Sequence, residues 1–339
     1  MNKVFKLIGI LLGVVIAGFA IIYAVLEITN KDDELKAYEE IEIYTLSGPT
    51  GFAVSKLLES KDYSLKVFEA PDKISAAIIK GDAKFATVPT NLAAILNKKT
   101  NGKIKILSVI SEGNLYVLTT NEEVDSFEDL NGKTVALAGA GATPEVIAKD
   151  LLPDSELDFK SEHAECVALL KSGKADVIIL PEPYVTVCKK QIPEVKVVAD
   201  LTEHYTEKHG DILPMSALVF NSEYLDYETA DEIIDDIDND GEIETLPYVT
   251  GEERVEKLLK DVEASISWVN ENVNEAEILI EDNGILSQTG VASEAIPGCN
   301  LVFKRASDAK ETITKYFEII NEIYPNLIGG SVPDEEIYY

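Results

Sequence analysis

Five short segments carry residue types that could do chemistry, and each stands where an apolar run gives way to a stretch of helical period. They are Gly48-Pro49-Thr50-Gly51, Thr90-Asn91, Gly141-Ala142-Thr143, Ser161-Glu162-His163 and Pro181-Glu182. Gly, Pro, Ser, Thr and Asn at a helix start leave backbone N–H groups and short hydroxyls free to meet a ligand. Taken singly, Thr50, Asn91, Thr143 and Ser161 serve equally as helix caps. Taken together on one edge, the five loops read as a small-molecule binding site. None contains Lys or Arg; they carry Glu162, Glu182 and His163 instead. A site for a dianion usually adds a bidentate arginine, and Arg254 and Arg305 are the only arginines in the chain. The expected ligand is a small organic molecule, neutral or weakly charged, with a monoanion still within reach of backbone groups.

Catalytic patterns are weaker. Gly-x-Ser-x-Gly is absent, and His163 is the only histidine in a candidate loop. As a general base it would need an acid partner, and its sequence neighbour Glu162 points elsewhere on a helix. His204 and His209 lie in a polar stretch and read as solvated surface. Cys166, Cys188 and Cys299 are far apart with no metal-ligand spacing, so they read as small buried hydrophobes, with a Cys166–Cys188 bridge as the disfavoured alternative. No catalytic residue and no cofactor is expected. Asp236-Ile237-Asp238-Asn239-Asp240-Gly241-Glu242-Ile243 copies the start of a calcium loop, but Pro247 stands where a bidentate Glu belongs. Asp236, Asp238 and Asp240 are therefore a weak calcium candidate against a solvated acidic run.

The elements that must position these loops follow from periodicity. Short apolar runs at Ile41–Thr45, Ser64–Phe68, Phe85–Val88, Ile104–Ile110 and Leu115–Thr119 alternate with helical stretches, and the pattern restarts at Thr134–Leu137, Asp158–Lys160 and Ala175–Leu180. Strands alternating with helices of about ten residues indicate βαβ units around mostly parallel sheets. Two such blocks predict two lobes. Residues 39–120 and 221–339 are assigned to lobe one and 121–220 to lobe two, joined by crossovers near Thr119–Asn121 and Phe220–Ser222. From Ala230 onward the chain reads as mainly helical.

Composition agrees with a folded α/β protein: 46% hydrophobic and 27% charged residues in 339. A net charge of −31 repels nucleic acid and anionic lipid, so neither is an expected partner. At the N-terminus Lys3 and Lys6 precede the uncharged run Leu7–Leu26, and Glu27 follows. About 20 apolar residues can span the hydrocarbon core, and positive charge before the run puts the rest of the chain outside. Residues 1–32 are expected to be an uncleaved membrane anchor; a cleaved signal segment is the alternative. Either way the domain is extracytoplasmic.

The same residues carry a resemblance. Ser47–Gly51, Val88-Pro89-Thr90-Asn91-Leu92-Ala93, Asp129-Leu130-Asn131-Gly132-Lys133-Thr134 and Gly141–Glu145 occur in one order with Lys160–His163, Ser172–Asp176 and Leu180–Pro183. Ala295–Asn300, Ile328–Asp334 and Tyr338 complete the set. From Ile41 to Tyr338 the chain resembles solute-binding proteins of ABC importers of the nitrate/sulfonate/taurine and thiamine-pyrimidine type. The resemblance implies a type II periplasmic-binding fold that closes by a hinge, a small-molecule ligand, and a permease and ATPase as partners. It departs from the pattern in lacking a lipobox cysteine and in carrying the acidic stretch Asp231–Glu244. An enzyme of the pyrimidine or menaquinone pathways on the same fold, or a ligand-sensing surface receptor, are the alternatives.

Overall fold

Residues 40–226, 233–234, 244–245 and 250–339 are described by a computed structural model. The expected anchor within residues 1–32 and the calcium candidates Asp236, Asp238 and Asp240 lie outside the described residues. No described helix is long and apolar enough to cross a membrane. A two-stranded antiparallel ribbon pairs Ile233 with Thr245 and Ile234 with Glu244.

The first run of elements is β1 (Ile41–Leu46), α1 (Pro49–Phe52), β2 (Tyr63–Phe68), α2 (Pro71–Lys80), β3 (Phe85–Pro89), α3 (Thr90–Lys99) and β4 (Ile104–Glu112). The second is β5 (Leu115–Thr119), β6 (Thr134–Ala138), α4 (Thr143–Leu151), β7 (Glu156–Lys160), α5 (His163–Lys171), β8 (Val177–Pro181), α6 (Tyr184–Gln191), β9 (Lys196–Asp200) and α7 (Leu201–His209). The chain returns through β10 (Pro214–Asn221); the ribbon supplies β11 (Ile233–Ile234) and β12 (Glu244–Thr245). It ends with α8 (Gly251–Glu271), α9 (Val273–Asp282), α10 (Ala292–Ala295), β13 (Leu301–Arg305) and α11 (Ala306–Ile323).

Two sheets result. One has six strands in the order β13-β4-β10-β3-β1-β2, the other five in the order β7-β6-β8-β5-β9. Their formation follows from residue alternation. Val135, Leu137, Val177 and Ile179 share one buried face with α4 and α7, while Ala136, Ala138, Ile178 and Leu180 share the other with α5 and α6. Both faces are covered, which is why these strands read as continuous apolar runs. Helix α8 buries Val255, Leu258, Leu259, Val262, Ile266 and Val269 at three- and four-residue spacing. Its start is closed by a capping box between Thr250 and Glu253.

Several expectations are corrected. The sheets are mixed rather than mostly parallel. Strands β1, β2 and β3 pair in parallel, as do β6, β7 and β8. Strand β10 is antiparallel to β3 and β4, and β5 is antiparallel to β8 and β9. Both β5 and β10 enter from the other lobe, without a covering helix to reverse the chain within their own sheet. For the same reason the crossovers fall earlier than expected. Strand β5 belongs to the five-stranded sheet, so the first link is Gly113-Asn114; β10 belongs to the six-stranded sheet, so the second is Gly210–Leu213. His204 and His209 stand on α7, which buries Leu201 and Tyr205, and not in a polar loop. Pro49–Phe52 is a single α-turn followed by the 3-10 turn Ser55–Glu59, and β13 interrupts the helical C-terminal part.

The three cysteines are free and buried. The C-terminal tyrosines close over lobe one: Tyr339 N donates to Ile106 O at 3.0 Å, and Tyr338 bridges Ile106 in parallel.

Candidate functional site

The C-terminal ends of β1, β3 and β8 point at one another across the lobes, and the helices that follow them begin there. Between them lies a cavity of about 250 Å³. Its wall includes Gly48, Pro49 and Thr50 from lobe one and Ala142, Thr143, His163, Pro181 and Glu182 from lobe two. Eight of the sequence-predicted residues are thus gathered at one place. Gly51, Thr90, Asn91, Gly141, Ser161 and Glu162 are absent from the wall.

Local bonding explains both groups. Thr50 Oγ1 donates to Leu46 O at 2.9 Å, tying α1 to the end of β1. Gly48 needs its left-handed backbone, φ 97°, to turn from strand to helix. An added Cβ there would also stand 3.6 Å from Pro183 Cδ of the opposite lobe. Gly51 is packed inside lobe one, where a Cβ would meet Ile285 at 2.5 Å. Asn91 and Thr143 face each other across the lobes. Asn91 Nδ2 donates to Leu327 O at 3.1 Å, and Thr143 Oγ1 lies 3.4 Å from Asn91 Oδ1 and 2.9 Å from the Tyr316 hydroxyl. The two Thr143 bonds run between the lobes. Further ones run from the Tyr116 hydroxyl to Gly298 O at 3.2 Å and from Lys190 Nζ to Gly290 O at 2.7 Å. The lobes are held closed.

The free backbone groups expected at Gly141 and Ser161 are already used. Gly141 N donates to Glu145 Oε2 at 2.7 Å, and Ser161 N donates to Glu165 Oε2 at 3.1 Å. Ser161 and Glu162 are exposed. Thr90 Oγ1 is buried without a hydrogen-bond partner among the described residues.

Glu182 is the buried charge of the site, 6% exposed. Its Oε2 accepts from Thr186 N and its Oε1 from Thr186 Oγ1, both at 3.1 Å, so it caps α6 from outside the helix. Burial raises its carboxyl above the ordinary range, against the lowering effect of the two Thr186 bonds. His163 is half-buried with Nδ1 unpartnered among the described residues, and its ring lies 4.8 Å from that of Tyr184. Loss of solvent lowers its pKa to about 4, so the imidazole is neutral.

Reading strand ends alone misses part of the wall. Glu69 and Pro71 follow β2, whose C-terminal end lies on the same edge and could have been included by the same rule. Asn114, from the crossover, and Met215 and Ser216, from the start of β10, enter only because these segments run antiparallel to their neighbours. Asn114 is 3% exposed, and its Oδ1 has no partner among the described residues.

No protein-family profile matches the sequence, and no curated protein matches it either. Solved structures do. An ABC transporter protein from Parabacteroides distasonis superposes with a TM-score of 0.71 at 21% identity, over 88% of this chain and 98% of that one. The periplasmic aliphatic sulphonate binding protein SsuA from Escherichia coli gives 0.66 at 15% identity, over 89% and 92%. The ligand binding component of an ABC-type import system from Staphylococcus aureus, with zinc bound, gives 0.59 at 14%, over 89% and 96%. Two mixed sheets flanked by helices, with a cleft between them, are the two-lobed fold of these binding proteins, and the described residues from Glu40 onward have that fold.

Proposed function

We propose that the protein is the solute-binding subunit of an ABC importer, taking up one small organic molecule between its lobes and releasing it unchanged. The carrying observation is the cavity at the meeting of strand ends and helix starts, in a fold shared over most of the chain with binding components of importers. Binding without conversion suits the chemistry of the wall. His163 makes a ring contact to Tyr184, and Glu182 is engaged as a helix cap, so neither is arranged as a base against a nucleophile.

The run Leu7–Leu26 behind Lys3 and Lys6 supports a place on the outer face of the cell membrane, held by an uncleaved N-terminal helix. There the lobes would present captured solute to a permease driven by an ATPase.

The test is recovery of what the full chain captures from a small-molecule extract, identified by mass spectrometry after denaturation. One compound recovered unaltered at near one per chain is the expected result. A chemically converted compound would favour an enzyme, and an empty site would remove the receptor reading.

A further inference from the structure

Three helices of the second lobe start at the cleft, and a helix start is a natural anion site. Each carries one of the chain's own carboxylates on a backbone N–H in or just ahead of its first turn. Glu145 accepts from Gly141 N at 2.7 Å ahead of α4, Glu165 from Ser161 N at 3.1 Å ahead of α5, and Glu182 from Thr186 N at 3.1 Å in α6. An incoming sulfonate, phosphate or carboxylate would meet fixed negative charge beside these helix starts. The wall adds the carboxylate of Glu69 and contains neither Lys nor Arg.

The wall also holds unsatisfied acceptor capacity. Asn114 Oδ1 is buried without a partner among the described residues. It lies next to Glu182, whose backbone N donates to Asn114 O at 3.2 Å. Thr186 donates one bond to each Glu182 oxygen, which leaves each oxygen a further lone pair. Beside them Tyr184 offers an aromatic face, and Pro49, Pro181 and Pro183 an apolar one. Aromatic faces attract cations, and more strongly when water is excluded.

We propose that the cleft takes a small organic cation, an ammonium or amidinium compound, whose N–H groups bridge Glu182 and Asn114 while its apolar body lies against Tyr184 and the prolines. This rests on the receptor reading above and narrows it to a ligand class. A cation also answers the cost of a buried carboxylate, since a paired charge in a dry site keeps the ionised form. The cavity of about 250 Å³ falls below the range of drug-sized sites and sets the ligand at the scale of a small metabolite. The net charge of −31 raises the local concentration of such a cation.

The experiment divides the small molecules of a cell extract on ion exchangers into cationic, neutral and anionic pools. Each pool is then tested for raising the melting temperature of the full chain. A shift with the cationic pool alone is the expected result. A shift with the anionic or neutral pool alone overturns the cation class and leaves the receptor reading standing. No shift with any pool removes the receptor reading and the cation with it. Glu182→Gln keeps an acceptor for Thr186 and removes the charge. It should not lower the unliganded melting temperature and should need about a hundredfold more of the active compound for the same shift. Glu69→Gln, an exposed carboxylate, should cost only a few-fold. If Glu182→Gln binds the cation as wild type does, the proposal fails.

Discussion

At the residue scale the cleft holds two titratable groups that pull stability in opposite directions with pH. The folded value of His163, about 4, lies below the ordinary 6.5 because burial disfavours the charged ring. The unfolded chain therefore binds more protons between these values, and stability rises with pH across that window. His163→Gln should flatten this limb by about 2 kcal/mol, read as the change in urea unfolding free energy between pH 4.5 and 7. Glu182 has the reverse sign. Its carboxyl is raised by burial, so the folded chain holds the proton more firmly and stability falls as pH rises through that range. Glu182→Gln should accordingly steepen the net acid limb in the same assay. Gly298 stands at the contact between lobes, where an added Cβ would lie 3.0 Å from Glu182 Cγ and 3.1 Å from Oε1. Gly298→Ala should push this carboxylate aside. Calorimetric titration with the captured compound should show binding weakened about tenfold while the unliganded melting temperature barely moves.

At the scale of elements, helix starts do the positioning, and the chain closes most of them with its own carboxylates. Helix α8 shows the structural use of the device. Thr250 Oγ1 accepts from Glu253 N at 3.2 Å, and Glu253 Oε2 accepts from Thr250 N at 2.9 Å. Thr250→Ala should lower unfolding free energy by about 1 kcal/mol without changing ligand affinity, as measured by urea denaturation and calorimetry. At the cleft the same chemistry selects a ligand. Glu145 and Glu165 consume the N–H groups that loop composition alone marks as free. Ser161 and Glu162 lie on the surface.

At the scale of the molecule, the lobes share a continuous buried cluster that includes Val146 and Leu201 of lobe two with Tyr316 and Leu327 of lobe one. The bond from Thr143 to the Tyr316 hydroxyl, 2.9 Å, and the bond from Lys190 to Gly290 O, 2.7 Å, hold the edges together. The links Gly113-Asn114 and Gly210–Leu213 are short, as a hinge requires. Removing the Tyr316 hydroxyl costs the closed form about 1 kcal/mol. Tyr316→Phe combined with Lys190→Ala should enlarge the radius of gyration of the unliganded chain in small-angle scattering, and saturating ligand should reverse the increase. An unchanged radius in the variant would show that closure rests on the apolar cluster alone.

The sequence by itself determined the α/β class, the two blocks and the loops Gly48–Thr50, Ala142–Thr143 and Pro181–Glu182 that line the cavity. These features are local: alternation, helical period and turn residues are set by neighbours a few positions apart. Which sheet β5 and β10 join was decided only in three dimensions. Leu115–Thr119 and Pro214–Asn221 are apolar runs that would suit either lobe, and pairing partners distant in sequence choose between them. The site's charge logic was decided there as well. Glu145, Glu165 and Glu182 look like ordinary acids in an acidic chain, and only folding brings each carboxylate onto a backbone N–H near the start of its helix.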